Sequence, residues 1–190
     1  MNITIILLAA GHSRRFGTDK RHVLLPGGAP LLQRTTERAL ASDLPVLVCL
    51  RPGDEELAVK LEKLGAQTHY CALADRGMGH SLAAGMERIR DQDGVLIALG
   101  DMPYIKASSY IEVAAALAPG TIAVPQYKGT SGHPVGFSRD YFPDLASITG
   151  DHGAKQLIRR NGNAVTPVAV TDTGILADID RPADIKMPVS

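Results

Sequence analysis

Short, nearly unbroken apolar runs alternate along this chain with stretches whose leucines recur at helical spacing. The runs are Ile3-Thr4-Ile5-Ile6-Leu7-Leu8, Pro45-Val46-Leu47-Val48-Cys49-Leu50 and Val95-Leu96-Ile97-Ala98-Leu99. Each has the length of a strand and offers no polar face to water, so each reads as buried on both sides. Between them, Leu57, Leu61 and Leu64, and again Leu82, Met86 and Ile89, stand at i, i+4 and i+7. That stripe is how a helix covers a sheet. Helices are expected over 31–41, through Leu57 to a stop at Gly65, and over about 79–92 and 107–117. Further strands are expected over 67–71 and 121–124. Units of this kind predict an α/β fold, a Rossmann-like, mostly parallel sheet with helices on both faces in three layers. A length of 190 residues suits one such domain. Aromatic residues are only 4% of the chain, so the core must be aliphatic.

Past Tyr127 the pattern loosens. A turn-rich loop covers 128–132, and a short strand is expected over 134–137. A helix capped by Ser138 should run to about Leu145, another should end near Arg160, and a late strand should span 164–170. The stretch from about 127 to 163 reads as a lobe closing over the sheet edge.

In parallel sheets, ligands bind outside the carboxyl ends of the strands. The first of these ends is the most informative. Leu8-Ala9-Ala10-Gly11-His12-Ser13-Arg14-Arg15-Phe16-Gly17-Thr18-Asp19-Lys20 brings two glycines, a serine and three cations directly after the first strand. Small residues let the backbone come close to a ligand and expose its amides, and Arg14, Arg15 and Lys20 add full charge. That suits a polyphosphate. Neither the Walker A spacing nor Gly-x-Gly-x-x-Gly is present, so the two commonest phosphate loops do not apply. Lys+Arg and Asp+Glu are both 20, for no net charge. A nucleic-acid partner is therefore not expected, because such binders carry a basic excess. No apolar run has membrane length, so a membrane partner is not expected either. Cys49 and Cys71 fall in strands without metal-ligand spacing and read as reduced thiols, which points to a cytoplasmic setting.

Three further segments carry candidate chemistry. Asp101, in Leu99-Gly100-Asp101-Met102-Pro103, either holds a hard cation such as Mg2+ or closes a turn. Alternation puts Asp178 and Asp180 on one side of an extended segment, where either could complete a metal site or cap the turn after Pro182. Arg76-Gly77-Met78-Gly79-His80-Ser81 precedes a helix, so its amides and the Ser81 hydroxyl could face a ligand or serve as an ordinary cap.

Taken together these motifs carry a resemblance. Leu8-Ala9-Ala10-Gly11-x-Ser13-x-Arg15-Phe16-Gly17-x-x-Lys20 is similar to the signature of the MobA-like nucleotidyltransferases, and Leu99-Gly100-Asp101-Met102-Pro103 resembles their metal motif. Gly132-His133-Pro134-Val135, Gly150-Asp151-x-Gly153-Ala154 and Asp178-Ile179-Asp180-x-Pro182-x-Asp184 resemble the branch of molybdenum cofactor cytidylyltransferases. The matches span nearly the whole chain in order. The resemblance implies a fold of the nucleotide-diphospho-sugar transferase type and transfer of CMP from CTP to a molybdopterin-type cofactor, with release of pyrophosphate. It implies that Leu8, Ala9, Ala10, Gly11, Ser13 and Arg14 bind nucleotide, with Gly79 and Ser81 near the base. Arg15 and Lys20 would neutralise the phosphates during catalysis, Asp101 and Asp180 would hold Mg2+, and His133 and Asp151 would face the acceptor. A client molybdoenzyme is a further implied partner.

Ala10 favours cytidine, because the guanylyltransferase branch typically reads Leu-Ala-Gly-Gly and tends to place one more residue before its lysine. Two departures stand out: Phe16 where Met is usual, and an extra residue between Lys20 and Gly27-Gly28. The alternatives are a guanylyl- or other nucleotidyltransferase with a different phosphorylated acceptor, and a nucleotide- or cofactor-binding chaperone for a molybdoenzyme. Lys20, Asp101 and Asp180 favour catalysis, because a pure carrier needs no leaving-group cation.

Overall fold

A computed structural model describes residues 1–13, 16–150 and 153–185. Among them, eight strands form one sheet: β1 (Ile3–Leu8), β2 (Val46–Leu50), β3 (Gln67–Tyr70), β4 (Gly94–Leu99), β5 (Ile122–Tyr127), β6 (Thr130–Ser131), β7 (Val135–Ser138) and β8 (Val165–Ala169). The helices are α1 (Leu31–Leu40), α2 (Glu55–Lys63), α3 (Met78–Glu87), α4 (Ala107–Ala115), α5 (Phe142–Ala146) and α6 (Lys155–Arg160).

The apolar runs are buried on both faces because successive side chains enter different cores. Ile5, Leu7, Val46, Val48, Leu96 and Ala98 pack with Leu32 of α1, Leu57 and Leu61 of α2, and Tyr110 and Val113 of α4. Their neighbours Ile6, Leu47, Cys49, Val95 and Ile97 pack with Leu82 and Met86 of α3, Phe142 and Leu145 of α5, and Leu157 of α6. The result is three layers, with helices on both faces of a mostly parallel sheet. Both cysteines are buried.

The strand order is β3-β2-β1-β4-β7-β5-β6, with β8 beside β5. β3, β2, β1 and β4 run parallel, whereas β7 is antiparallel to both β4 and β5. The reversal follows from the turn at Lys128-Gly129, both at positive φ, which folds β5 back on β6. Such paired values make a tight hairpin turn, and glycine takes the second at little cost. The loop expected over 128–132 is thus a hairpin, and the stretch 127–163 contributes β7 to the middle of the sheet and α5 and α6 to one helix layer. α3 ends at Glu87, earlier than the leucine spacing suggests. Ser138 donates its hydroxyl to Asp140 instead of capping α5, which starts four residues later.

β1 is the switch point, because the chain leaves it toward β2 on one side and later returns as β4 on the other. Open α/β sheets part at such a point and leave a crevice.

Candidate active site

A cavity of about 530 Å3 occupies that crevice. Its floor is the carboxyl end of β1 and β4. Gly100 donates its amide to the Leu8 carbonyl at 3.0 Å, and a Cβ there would lie 2.9 Å from that of Ala9. Only glycine lets the two strand ends meet so closely. The loop from Leu8 through Ala10, Gly11 and Ser13 forms one wall, and Arg76, Gly77, Met78 and Ser81 form the facing wall. Lys20, Asp101, Asp178 and Asp180 close the deep end.

Lys20 is the hub of that deep end. Its Nζ donates to Asp101 Oδ2 at 2.7 Å, to the Ile179 carbonyl at 2.7 Å and to Asp180 Oδ1 at 3.1 Å. Burial alone would lower its pKa, but Asp101 and Asp180 outweigh that and hold it above the ordinary lysine value. The ammonium is therefore charged at any physiological pH. Asp101 Oδ1 is buried with no hydrogen-bond partner among the described residues. A buried carboxylate oxygen without a donor is costly unless a cation meets it. Asp101 and Asp180 thus fit a hard divalent ion. Among the described residues no three metal-ligating side chains gather in one place. An ion here would take its other ligands from phosphate oxygens and water, as Mg2+ commonly does.

Against the first loop packs a group of residues with no role in the sequence analysis. Arg21 is almost fully buried; its Nε donates to Asp19 at 2.8 Å, its Nη2 to Asp54 at 2.8 Å and its Nη1 to the Ala9 carbonyl at 3.1 Å. Arg51 donates from Nη2 to Asp19 at 2.7 Å and from Nη1 to the Gly11 carbonyl at 3.3 Å and His12 Nδ1 at 3.2 Å. His12 Nε2 in turn meets Asp75, on the facing wall. Burial pushes the Asp19 and Asp54 carboxyls up, but Arg21 and Arg51 overcome it and hold both below the usual carboxylate range. Applying the carboxyl-edge rule to β2 would have flagged Arg51 and Asp54.

Two expected residues lie off the cavity lining. Gly79 donates its amide to the Gly150 carbonyl at 2.8 Å, and a Cβ on it would come within 2.8 Å of that oxygen. His133 is half-buried beside a cis bond to Pro134, with Nδ1 3.5 Å from the Ile97 carbonyl. Burial lowers its pKa, against the opposing pull of Ile97, Asp101 and Asp178. Arg14, Arg15 and Asp151 lie outside the described residues.

The pattern of the MobA-like NTP transferase domain matches residues 5–165, which include both cavity walls and the Lys20–Asp101 pair. The chain belongs to this family. It is a MobA-like nucleotidyltransferase. Purine catabolism protein PucB of Bacillus subtilis is 30% identical over 96% of this chain and 93% of its own length. A probable molybdenum cofactor guanylyltransferase of Natronomonas pharaonis is 32% identical over 54% of this chain and 50% of its own. The fold is shared with Rv0371C of Mycobacterium tuberculosis, solved in complex with manganese, at 24% identity and a TM-score of 0.72 over 98% of this chain and 94% of that one. No helix among the described residues of the MobA-like chain is long and apolar enough to cross a membrane.

Proposed function

We propose that this protein transfers CMP from CTP to a molybdopterin-type molybdenum cofactor and releases pyrophosphate. The observation that carries the reading is the convergence of Lys20, Asp101 and Asp180 beneath an open glycine loop. Nucleotidyl transfer needs alignment and charge neutralisation more than a protein nucleophile. Lys20 supplies a permanent cation where charge grows on the leaving pyrophosphate. Mg2+, held by Asp101 and Asp180, would neutralise the triphosphate and polarise the reacting phosphorus. In this reading Arg15 joins Lys20 on the phosphates, the first turn of α3 borders the base through Ser81 with Gly79 seating that turn, and His133 and Asp151 face the acceptor. The acceptor phosphate is already ionised, so no strong general base is required. Ala10 supports cytidine. The guanylyltransferase relative favours a second reading, with GTP as donor to the same kind of acceptor.

Thermal-shift titration with the four nucleoside triphosphates and Mg2+ tests the base. CTP is expected to raise Tm most. Equal shifts, or none, would remove the cytidine assignment, and a larger shift with GTP would select the second reading. Pyrophosphate release on adding molybdopterin cofactor then tests the acceptor.

A further inference from the structure

We infer that Arg21 and Arg51 are positioning residues, which turn the backbone amides of the first loop toward the triphosphate. The inference rests on reading that loop as the phosphate cradle. In a trans peptide unit the carbonyl and the following amide point in opposite directions. Arg21 Nη1 holds the Ala9 carbonyl, and Arg51 Nη1 holds the Gly11 carbonyl; Arg21 borders the cavity, whereas Arg51 stands off its lining. The amides of Ala10 and His12 are thereby turned the other way. Among the described residues, the amides of Ala10, Gly11, His12 and Ser13 donate to no protein acceptor. Ser13 has φ 52°, a value that lets successive amides converge on one anion.

Charge and burial argue that the two arginines act on the loop and not on the phosphates themselves. All three Arg21 nitrogens are engaged, by Asp19, Asp54 and the Ala9 carbonyl, and Arg51 Nη2 is engaged by Asp19. Two guanidinium groups against two carboxylates leave the cluster without net charge, so what it contributes is geometry. The Arg21 side chain is only 5% exposed and that of Arg51 only 18%. A planar guanidinium can bind a carboxylate and a carbonyl at once, which an ammonium cannot do as well. The Lys20 ammonium, which lines the cavity, and the aligned amides are then the groups left to meet the phosphates.

Truncating Arg21 would empty a buried site and remove the main cation from Asp19 and Asp54, so the more exposed Arg51 is the residue to vary. The probes are inorganic tripolyphosphate, CTP and cytidine, each titrated by calorimetry with Mg2+ present. Arg51→Ala is expected to weaken tripolyphosphate and CTP by about tenfold and cytidine by less than about twofold, the cost of misaligned phosphate donors alone. The loss in turnover should fall mainly on KM for CTP, and Arg51→Lys should restore part of it. If Arg51→Ala does not fold, the same split in Arg51→Lys decides. Equal losses for cytidine and tripolyphosphate would show a general loosening and overturn the inference. Unchanged tripolyphosphate binding, or a wild-type protein that does not bind tripolyphosphate, would overturn it too. Preference for GTP with the Arg51 dependence intact would sink the cytidine assignment and uphold this one.

Discussion

Gly11 lies in the loop after β1 and Gly79 in the first turn of α3, and both belong to glycine-bearing segments that border the same cavity. A Cβ built on Gly11 would meet none of the described residues within 4 Å. A Cβ on Gly79 would come within 2.7 Å of Ile148, 2.8 Å of the Gly150 carbonyl and 2.9 Å of the Thr149 backbone. The first glycine leaves space for something that is not protein. The second leaves space for the protein itself, letting α3 dock against the 148–150 segment. One residue type serves two ends, and the difference lies in what stands opposite the missing side chain. A glycine near a site therefore indicates close approach, without saying whether ligand or chain approaches.

If the open loop is the reactive side, its lysine should carry the largest effect. Lys20→Ala is expected to cut turnover by about 10²–10³-fold, the usual cost of losing one preorganised charge at a transition state. Pyrophosphate release measures it, with Tm as the control for folding. Wild-type turnover in that variant would remove the reactive role from the open loop. The glycines themselves sharpen the contrast next. Gly79→Ala should cost about 1–3 kcal/mol in denaturant unfolding, because two of its three neighbours are backbone and cannot move aside. Gly11→Ala should stay within about 0.5 kcal/mol of wild type, yet raise KM for the nucleotide by intruding on the cradle. Swapped signatures would break the comparison.

The smallest effect concerns the brace packed against the open loop. In the folded chain Asp19 and Asp54 titrate below the usual carboxylate range, so each contributes stability that is full above the unfolded value of about 3.9. That contribution is lost as the pH falls through the lower folded values. Unfolding followed by circular dichroism should show stability declining below about pH 4. Asp54→Asn should make that decline shallower. An unchanged acid limb in Asp54→Asn would mean that other carboxylates govern it.

Much of the scaffold was legible because it rests on local patterns. The unbroken run Val46–Leu50 forecast a strand buried on both faces, and the Leu57–Leu61 stripe forecast the helix that covers it. The antiparallel insertion of β7 was not legible. A four-residue apolar segment looks the same whichever direction it runs, and the reversal depends on a two-residue turn at Lys128-Gly129. The cavity was legible in part. The carboxyl-edge rule, applied to β1, β3 and β4, pointed to the loop before Lys20, to the segment after β3 and to Asp101. Left unapplied to β2, it passed over Arg51 and Asp54. Arg21 was hidden by its neighbour, since one cation beside another reads as more of the same charge until burial separates their partners.

The residue order by itself determined which segments become strands, which become helices and where glycines permit close approach. Dihedral preference and side-chain periodicity act over a few residues, so they are written locally. Only the tertiary structure decided that Lys20 meets Asp101 and Asp180, which lie 81 and 160 residues away. Those meetings follow from the order of strands in the sheet, and that order is selected by the packing of all three layers at once, which no local period encodes.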